Sequence, residues 1–477
     1  MSNLSSVIKS IQDIMRKDSG VDGDAQRISQ LGWMLFLRIF DEKENDWEAT
    51  DEDYKSPIPK DLRWRNWASD EEGMTGDELL GFVNNSLFPR LKELKPRNNK
   101  DIGIMVRGIF EDSYNYMKSG TLLRQVLNKI NQGIHFTTGA DRHQFNDIYE
   151  QILKDLQSAG NAGEFYTPRS VTQFVVEMVD PKLGESILDP ACGTGGFLVN
   201  AIEHMRKSEV IDSPIKLEKL QKGVRGVEKK PLPHMLASTN LMLHGIEEPS
   251  ISHDNLLNKA TTAWTSGERV NVIITNPPFG GMEEDGVENN FPLAFRTRET
   301  ANLFLYLITH VLKDGGRAGV VLPDGFLFGE GVATRIKEKL LLECNLHTIV
   351  RLPNGVFAPY TNIKTNLLFF EKGKPTKDVW YFEHPYPPGV KNYNKTKPIV
   401  IEEFDLEKKW WKKRMENEFA WKINIKDLKE RNFNLDIKNP NVGAREKQLT
   451  CDELLNELSL SFAKSNAYLE QLKAELK

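Results

Sequence analysis

Asn276-Pro277-Pro278-Phe279 follows directly on an apolar run, Val270–Thr275. Two successive prolines remove two backbone donors and fix two φ angles, so a strand must end there with its last carbonyls rigidly held. Such a loop suits a planar amine. An exocyclic amine on a base is a poor nucleophile, because its lone pair is delocalised into the ring. The Asn276 side-chain oxygen and the Pro277 carbonyl, aimed at its hydrogens, would draw the nitrogen towards tetrahedral geometry and stabilise the developing positive charge. Phe279 could stack on the base once it has left a helix. If the methyl group of a sulfonium is the electrophile, orientation supplies much of the remaining rate. That chemistry requires no metal, histidine dyad or nucleophilic cysteine. Read blandly, the same residues are a strand terminator with a core phenylalanine.

A second candidate lies upstream. The run Ser186–Asp189 leads into Pro190-Ala191-Cys192-Gly193-Thr194-Gly195-Gly196-Phe197, and a helical pattern follows. Glycines at 193, 195 and 196 let backbone approach a ligand at a helix N-terminus. The spacing is not GxGxxG, and no Lys-Ser/Thr pair follows as a phosphate loop would need. Asp189 ends the strand, where it could accept from an ammonium group or hold the loop. Glu228 ends the next strand, placed like the carboxylate that grips ribose hydroxyls in nucleotide-binding folds. Asp254, in Ser252–Leu257, is a third acid on a loop. An adenosine with a cationic amino-acid tail fits this set better than a dinucleotide. A glycine turn that merely packs helix on strand is the plainer reading, and the matching loops at Glu228 and Asn276 argue against it.

These residues need a sheet to hold them. From about 165 to 372 short apolar strands alternate with helical patterns, at 186–189, 223–228, 270–275, 317–323, 347–353 and 365–372. That alternation predicts a doubly wound, mostly parallel α/β sheet, with ligands beyond the carboxyl ends of the strands. Residues 1–150 read as a helical N-terminal domain, broken by Lys17–Gln26 and by a polar, Trp-bearing loop over Tyr54–Gly73. The domain carrying the chemistry spans 151–447, with a polar, loop-rich extension from about 373. That extension holds the basic, aromatic run Lys408–Arg414, where phosphate contact and a solvated charged face are equally reasonable readings. In 448–477, Leu455, Leu458, Phe462, Leu469, Leu472 and Leu476 follow three- and four-residue steps, a coiled-coil seam too short to be stable alone.

The chain has 477 residues, a formal net charge of −5 and 39% hydrophobic residues, which suits a multi-domain globular protein. No apolar run approaches the roughly 20 residues needed to span a bilayer, and the start is amphipathic rather than a signal region. Cys192, Cys344 and Cys451 form neither a disulfide framework nor a zinc pattern, and His135, His244 and His253 are not spaced as ligands. A cytoplasmic location is expected. The mild acidity is unusual for a protein that grips nucleic acid unaided; if DNA is the substrate, partners supply much of the hold.

In order, Glu164–Ser170, Leu188–Phe197, Glu228, Asp254 and Asn276–Phe279 resemble the S-adenosylmethionine-dependent amino-methyltransferases that act on adenine N6, in the gamma-class order. The layout, with Phe433–Asn441 and a helical tail, is similar to the modification (HsdM) subunits of type I restriction–modification systems. The resemblance spans nearly the whole chain, is most specific over 163–198 and 270–282, and is weaker in the first 120 residues. It implies a Rossmann-like methyltransferase domain with a mixed, mostly parallel sheet, an α-helical N-terminal domain and a helical C-terminal tail. Glu164, Phe165, Tyr166, Thr167, Pro168 and Arg169 would line the methionine end of the cofactor. Gly193, Thr194, Gly195 and Gly196 would pass under it, with Asp189 at the strand end. Glu228 would hold its ribose and Asp254 would face its adenine amine, while Asn276, Pro277, Pro278 and Phe279 would form the target-base site. The family further implies double-stranded DNA with the adenine flipped out, two such chains per specificity subunit, and a restriction subunit added for cleavage. The tail would meet the specificity subunit, and no metal is expected. Methylation of protein glutamine or RNA, or a silent cofactor-binding scaffold, are the rival readings.

Overall fold

The computed structural model describes residues 2–95, 102–133, 167–358, 361–394 and 396–441, with 455, 458, 459, 462 and 466 of the tail. The last part of the expected helical N-terminal domain, 134–150 with His135, and most of the terminal heptads lie outside the described residues. Leu455, Leu458 and Phe462 are helical and more than half exposed.

The N-terminal part is helical. Its first helices, Ser2–Met15 and Asp24–Thr50, bury Ile8, Ile11, Met15, Leu31, Trp33, Phe36, Ile39 and Phe40 in one core. The Trp-bearing segment departs from the loop expected of it. It forms short helical turns at Lys60–Leu62 and Trp64–Trp67, with Trp64 and Trp67 buried. Arg124, itself buried on the Gly120–Gly133 helix, donates to the carbonyls of Trp67, Ala68, Asp70 and Met74 at 2.8–3.2 Å. One guanidinium therefore satisfies backbone groups that a polar sequence would otherwise leave to water. This helical core extends into Met235, Leu236 and Met242 of the helix Pro231–Leu243, which joins it to the rest of the chain.

Among the described residues nine strands form one sheet, in the order β3-β2-β1-β4-β5-β7-β6-β8-β9. They are β1 (Ile187–Asp189), β2 (Val224–Glu228), β3 (Ser250–His253), β4 (Val270–Thr275), β5 (Leu312–Pro323), β6 (Cys344–Arg351), β7 (Thr365–Lys372), β8 (Asp378–Glu383) and β9 (Ala420–Asn424). The first five run parallel; β7 is antiparallel between β5 and β6, and β9 is antiparallel to β8. Side chains alternate between two cores: Ile187, Val272, Ile274 and Val321 on one face, Leu188, Ile273, Val320 and Leu322 on the other. Helices cover both faces, as the continuous apolar strands require.

The stretch after 373, expected to be a polar extension, instead completes this sheet through β8 and β9. The basic run lies on the helix Asp405–Lys412, where Trp410 is buried and Trp411 packs edge-on to Phe369 at 4.9 Å. Arg414 sits 4.6 Å over the Trp411 ring and donates to the His347 carbonyl at 3.3 Å. The segment Phe433–Asn441 folds back onto the sheet. Asp436 pairs with Arg351 at 2.7 Å, and the Leu435 carbonyl accepts from the buried Tyr381 hydroxyl.

Candidate active site

The sheet changes direction at β1, with β2 on one side and β4 on the other. Ligands in open α/β sheets sit beyond the carboxyl ends at such a switch point. Strand register puts Asp189 opposite Gly226 and Glu228 opposite His253, so the ends of β1, β2 and β3 share one edge. Leu188 pairs with Ile273, which brings Thr275 and Asn276 to that edge as well.

The glycine loop follows β1. Gly193 and Gly195 adopt φ of 53° and 80°, the left-handed region that a side chain resists. A Cβ on Gly195 would also stand 3.1 Å from Leu241, whereas one on Gly193 would meet nothing within 4 Å. One glycine answers to packing and the other leaves open space above the loop. The Asn240 side chain holds the loop by donating to the Thr194 carbonyl at 3.0 Å. Glu228 holds it from β2: its carboxylate accepts from the Gly193 N–H at 2.9 Å and the Lys230 N–H at 2.8 Å. Asp254 is exposed on the next loop; its N–H donates to the Glu228 carbonyl at 3.0 Å and its carboxylate accepts from the Asn255 N–H at 2.7 Å.

Asp189 is buried at 1% exposure. One oxygen accepts from the Ala191 N–H at 3.2 Å; among the described residues the other has no hydrogen-bond partner. Burial pushes its pKa up to about 7, with the Glu228 charge adding to the rise; the nearby Thr275 hydroxyl and the Ala191 N–H offset only part of it. Cys192 is buried beside it, and burial first, then the Asp189 and Glu228 charges, holds its thiol well above the ordinary range. A Cβ on Gly226 would press on its sulfur at 2.9 Å, so this cysteine packs the strand against the loop.

Asn276 emerges from β4 half-buried. Its amide nitrogen donates to the Thr167 hydroxyl at 2.8 Å, and its amide oxygen is buried without a partner among the described residues. Thr167 and Pro168 lead into the helix Arg169–Val179, which starts with the Pro168 carbonyl accepting from Val171 and Thr172. Pro277 is buried and Pro278 half-buried. Phe279 is 8% exposed and lies edge-on to Phe357, with centroids 5.5 Å apart. Stacking this ring on a base therefore asks for a shift of the loop. Thr167, Asp189, Gly193, Thr194, Gly196 and Asn276 all line one recess. Arg169 stands near enough to Glu203 to lower its pKa together with His244, the nearer cause. Glu164, Phe165 and Tyr166 lie outside the described residues.

Four residues escaped the sequence reading. Phe357 backs Phe279; Asn240 braces the loop; and Asn255 and Glu283 join the Asp254 loop to the segment after Phe279 at 2.9 Å. Nothing periodic marks them, because each partner is remote in the chain. The adjacency of Asn255 to Asp254 was the one available signal.

The recess combines an orphan carboxylate oxygen, an orphan amide oxygen and a glycine floor. An adenosine carrying a cationic tail matches those donors and acceptors, so the residues present fit S-adenosylmethionine. The N-6 DNA methylase family signature matches residues 140–448, and that of the HsdM N-terminal domain matches 4–130. The type I restriction enzyme EcoEI methylase subunit of Escherichia coli is 59% identical over 100% of this chain and 97% of its own. A crystal structure of a modification subunit from Vibrio vulnificus YJ016, assigned to a type I restriction enzyme, covers 92% of this chain and 97% of its own at 44% identity and TM-score 0.83. A further solved chain, from work on complex assembly and conformational transition of the type I R-M system, covers 100% and 98% at 36% identity and TM-score 0.82. The chain belongs to the N-6 DNA methylase family, as a methylase subunit of a type I restriction–modification system.

Proposed function

We propose that this subunit methylates adenine N6 in double-stranded DNA at a site chosen by a separate specificity subunit, with Asn276, Pro277, Pro278 and Phe279 forming the target-base site. The observation that carries the reading is the Asn276 oxygen. It is buried, has no hydrogen-bond partner among the described residues, and is set on the same recess as the glycine loop. S-adenosylmethionine, when bound, supplies an electrophilic sulfonium methyl. Asp189 offers its free oxygen to the cationic tail, and Glu228 and Asp254 serve the ribose and the adenine amine. Thr167–Arg169, continuing the segment from Glu164, border the methionine end.

The chain's part in the reaction is electrostatic. Thr167 ties down the Asn276 nitrogen, which leaves the oxygen to face the base. That oxygen and the Pro277 carbonyl would accept from the two N6 hydrogens and favour the charge that grows on nitrogen as the methyl C–N bond forms and the C–S bond breaks, its electron pair leaving on the thioether sulfur. Neither is basic enough to keep a proton, so the one released from N6 passes to solvent.

Two such chains with one specificity subunit, joined by restriction subunits for cleavage, is the assembly we infer. The relative from work on complex assembly of the type I R-M system and the exposed Leu455, Leu458 and Phe462 support it. A cytoplasmic location is consistent with the finding that no helix among the described residues is long and apolar enough to cross a membrane. The test is methyl transfer from labelled S-adenosylmethionine by the complex with its specificity subunit. Label is expected at N6 of adenine in DNA. Asn276→Ala should cut transfer by at least about 100-fold while leaving cofactor affinity within a few-fold. Label found only in protein or RNA would sink the proposal.

A further inference from the structure

Glu283 lies four residues beyond Phe279, and at 8% exposure its carboxylate is buried. Burying a carboxylate costs several kcal/mol unless it is well paired. Here the partners come from three directions. The Asn255 amide donates to one oxygen at 2.9 Å, the Thr300 hydroxyl donates to the other at 3.0 Å, and the Lys229 ammonium stands 3.6 Å away. Asn255 adjoins Asp254, and Lys229 adjoins Glu228. The backbone of Glu283 is fixed as well: its N–H donates to the Arg298 carbonyl at 2.8 Å, and its own carbonyl accepts two hydrogen bonds from the Arg298 guanidinium. Thr300 also caps the Gly281 carbonyl, through its backbone N–H at 3.4 Å. The far end of the Asn276–Gly281 loop is thus tied to the residues next to both adenosine acceptors through one side chain.

We propose that Glu283 is a positioning residue that couples cofactor occupancy to the conformation of the target-base loop. This rests on the reading of Glu228 and Asp254 as the adenosine acceptors. When adenosine engages those two loops, Lys229 and Asn255 are drawn with them, and the Glu283 carboxylate passes the displacement to the segment that ends in Phe279. Phe279 must shift to stack on a base, so the link acts on the residue that has to move. Coupling of this kind is reciprocal: a base held by the loop raises affinity for cofactor by the same factor.

The test uses the subunit assembled with its specificity subunit and a duplex carrying the recognition site, with 2-aminopurine at the target adenine. S-adenosylhomocysteine is titrated with and without the duplex, and 2-aminopurine fluorescence reports the flipped base. In the wild type we expect duplex to tighten S-adenosylhomocysteine binding by about 10-fold or more, within the usual range of coupling. Glu283→Gln keeps the shape but loses the charge and one acceptor, and should bring that ratio below about 3 and lower the fluorescence gain. A purely structural staple behaves otherwise: the melting temperature falls and the ratio stays, which overturns the proposal, as does a wild-type ratio near 1. Should Glu283→Gln fail to assemble, Asn255→Ser breaks the link from the cofactor side; a ratio unchanged there overturns the proposal equally. Glu228→Ala and Asp254→Ala test the underlying reading separately. If both bind S-adenosylhomocysteine like the wild type, the acceptor assignment falls whatever Glu283 does.

Discussion

Asp189→Asn separates what the active site needs from what the fold prefers. The carboxyl is buried, one of its oxygens has no hydrogen-bond partner among the described residues, and burial raises its pKa from 3.8 to about 7. A folded-state pKa above the unfolded one means that the folded chain holds the proton more tightly. The group therefore costs nothing below pH 4, its cost grows as pH rises from about 4 to 7, and the full cost is present above 7. Three units at 1.36 kcal/mol each come to about 4 kcal/mol, an upper limit because a buried carboxylate relaxes its surroundings. For a cooperative unit of roughly 270 residues that is a rise of up to about 7 °C in melting temperature for Asp189→Asn at pH 8, shrinking towards zero near pH 4.

Cofactor binding should move the opposite way. A cationic tail needs the ionised carboxylate, so wild-type affinity for S-adenosylmethionine should rise by nearly tenfold per pH unit between 5 and 6 and level off above 7. It should decline again as the ligand's own α-amino group, with a pKa near 8, loses its proton. Asp189→Asn should bind weakly and lack the lower limb of this profile. Calorimetric titration and thermal unfolding at pH 5, 6, 7 and 8 check both halves. A variant no more stable at pH 8 than the wild type would refute the burial argument. One that binds cofactor with the wild-type pH profile would refute the ammonium assignment.

Thr167→Val removes the acceptor that holds the Asn276 nitrogen; kcat should fall about 10-fold or more with little change in DNA affinity, read by single-turnover methyl transfer. Arg124→Ala strips four backbone carbonyls of their donor in the helical part and should destabilise it by about 3 kcal/mol, seen in denaturant unfolding.

What the sequence made legible follows a physical rule. β1, β2, β4, β5, β6 and β7 are buried strands, and burial writes them as apolar runs. β3 is a short edge strand in which only Ile251 is buried, and it carries no such signature. β8 and β9 escaped because they lie among turn-forming and charged residues, although Tyr381 and Trp421 stack at 5.3 Å within the core. The same rule governs the site. Gly193–Gly196, Glu228 at the end of β2 and Asn276–Phe279 are each short local stretches whose residue types the proposed chemistry would demand. Thr167 meets Asn276 across 109 positions and Asn255 meets Glu283 across 28, so their roles exist only once the sheet brings the loops together. Arg124 acts on the Trp64–Trp67 turn in the same way, across more than 50 residues.

The run Lys408–Arg414 bears on how such a subunit holds DNA. Two of its members are already spent: Lys408 pairs with Glu177 at 2.7 Å, and Arg414 is stacked on Trp411, with burial lowering its pKa to about 10. Lys409, Lys412 and Lys413 remain exposed, but between 402 and 418 six carboxylates face five cations, so the local field is not attractive to phosphate. Each lysine that neutralised a phosphate would contribute about 0.9 to the slope of log K against log salt, or about 2.7 for all three. Replacing Lys409, Lys412 and Lys413 with glutamine in the complex with its specificity subunit should instead change that slope by less than 1 and DNA affinity by less than about threefold. A loss of two or more in slope, measured by fluorescence anisotropy between 50 and 200 mM salt, would make this helix part of the DNA-binding face. The expected result leaves a net charge of −5 with no basic stripe here to offset it, and assigns the electrostatic grip to the partner that chooses the site.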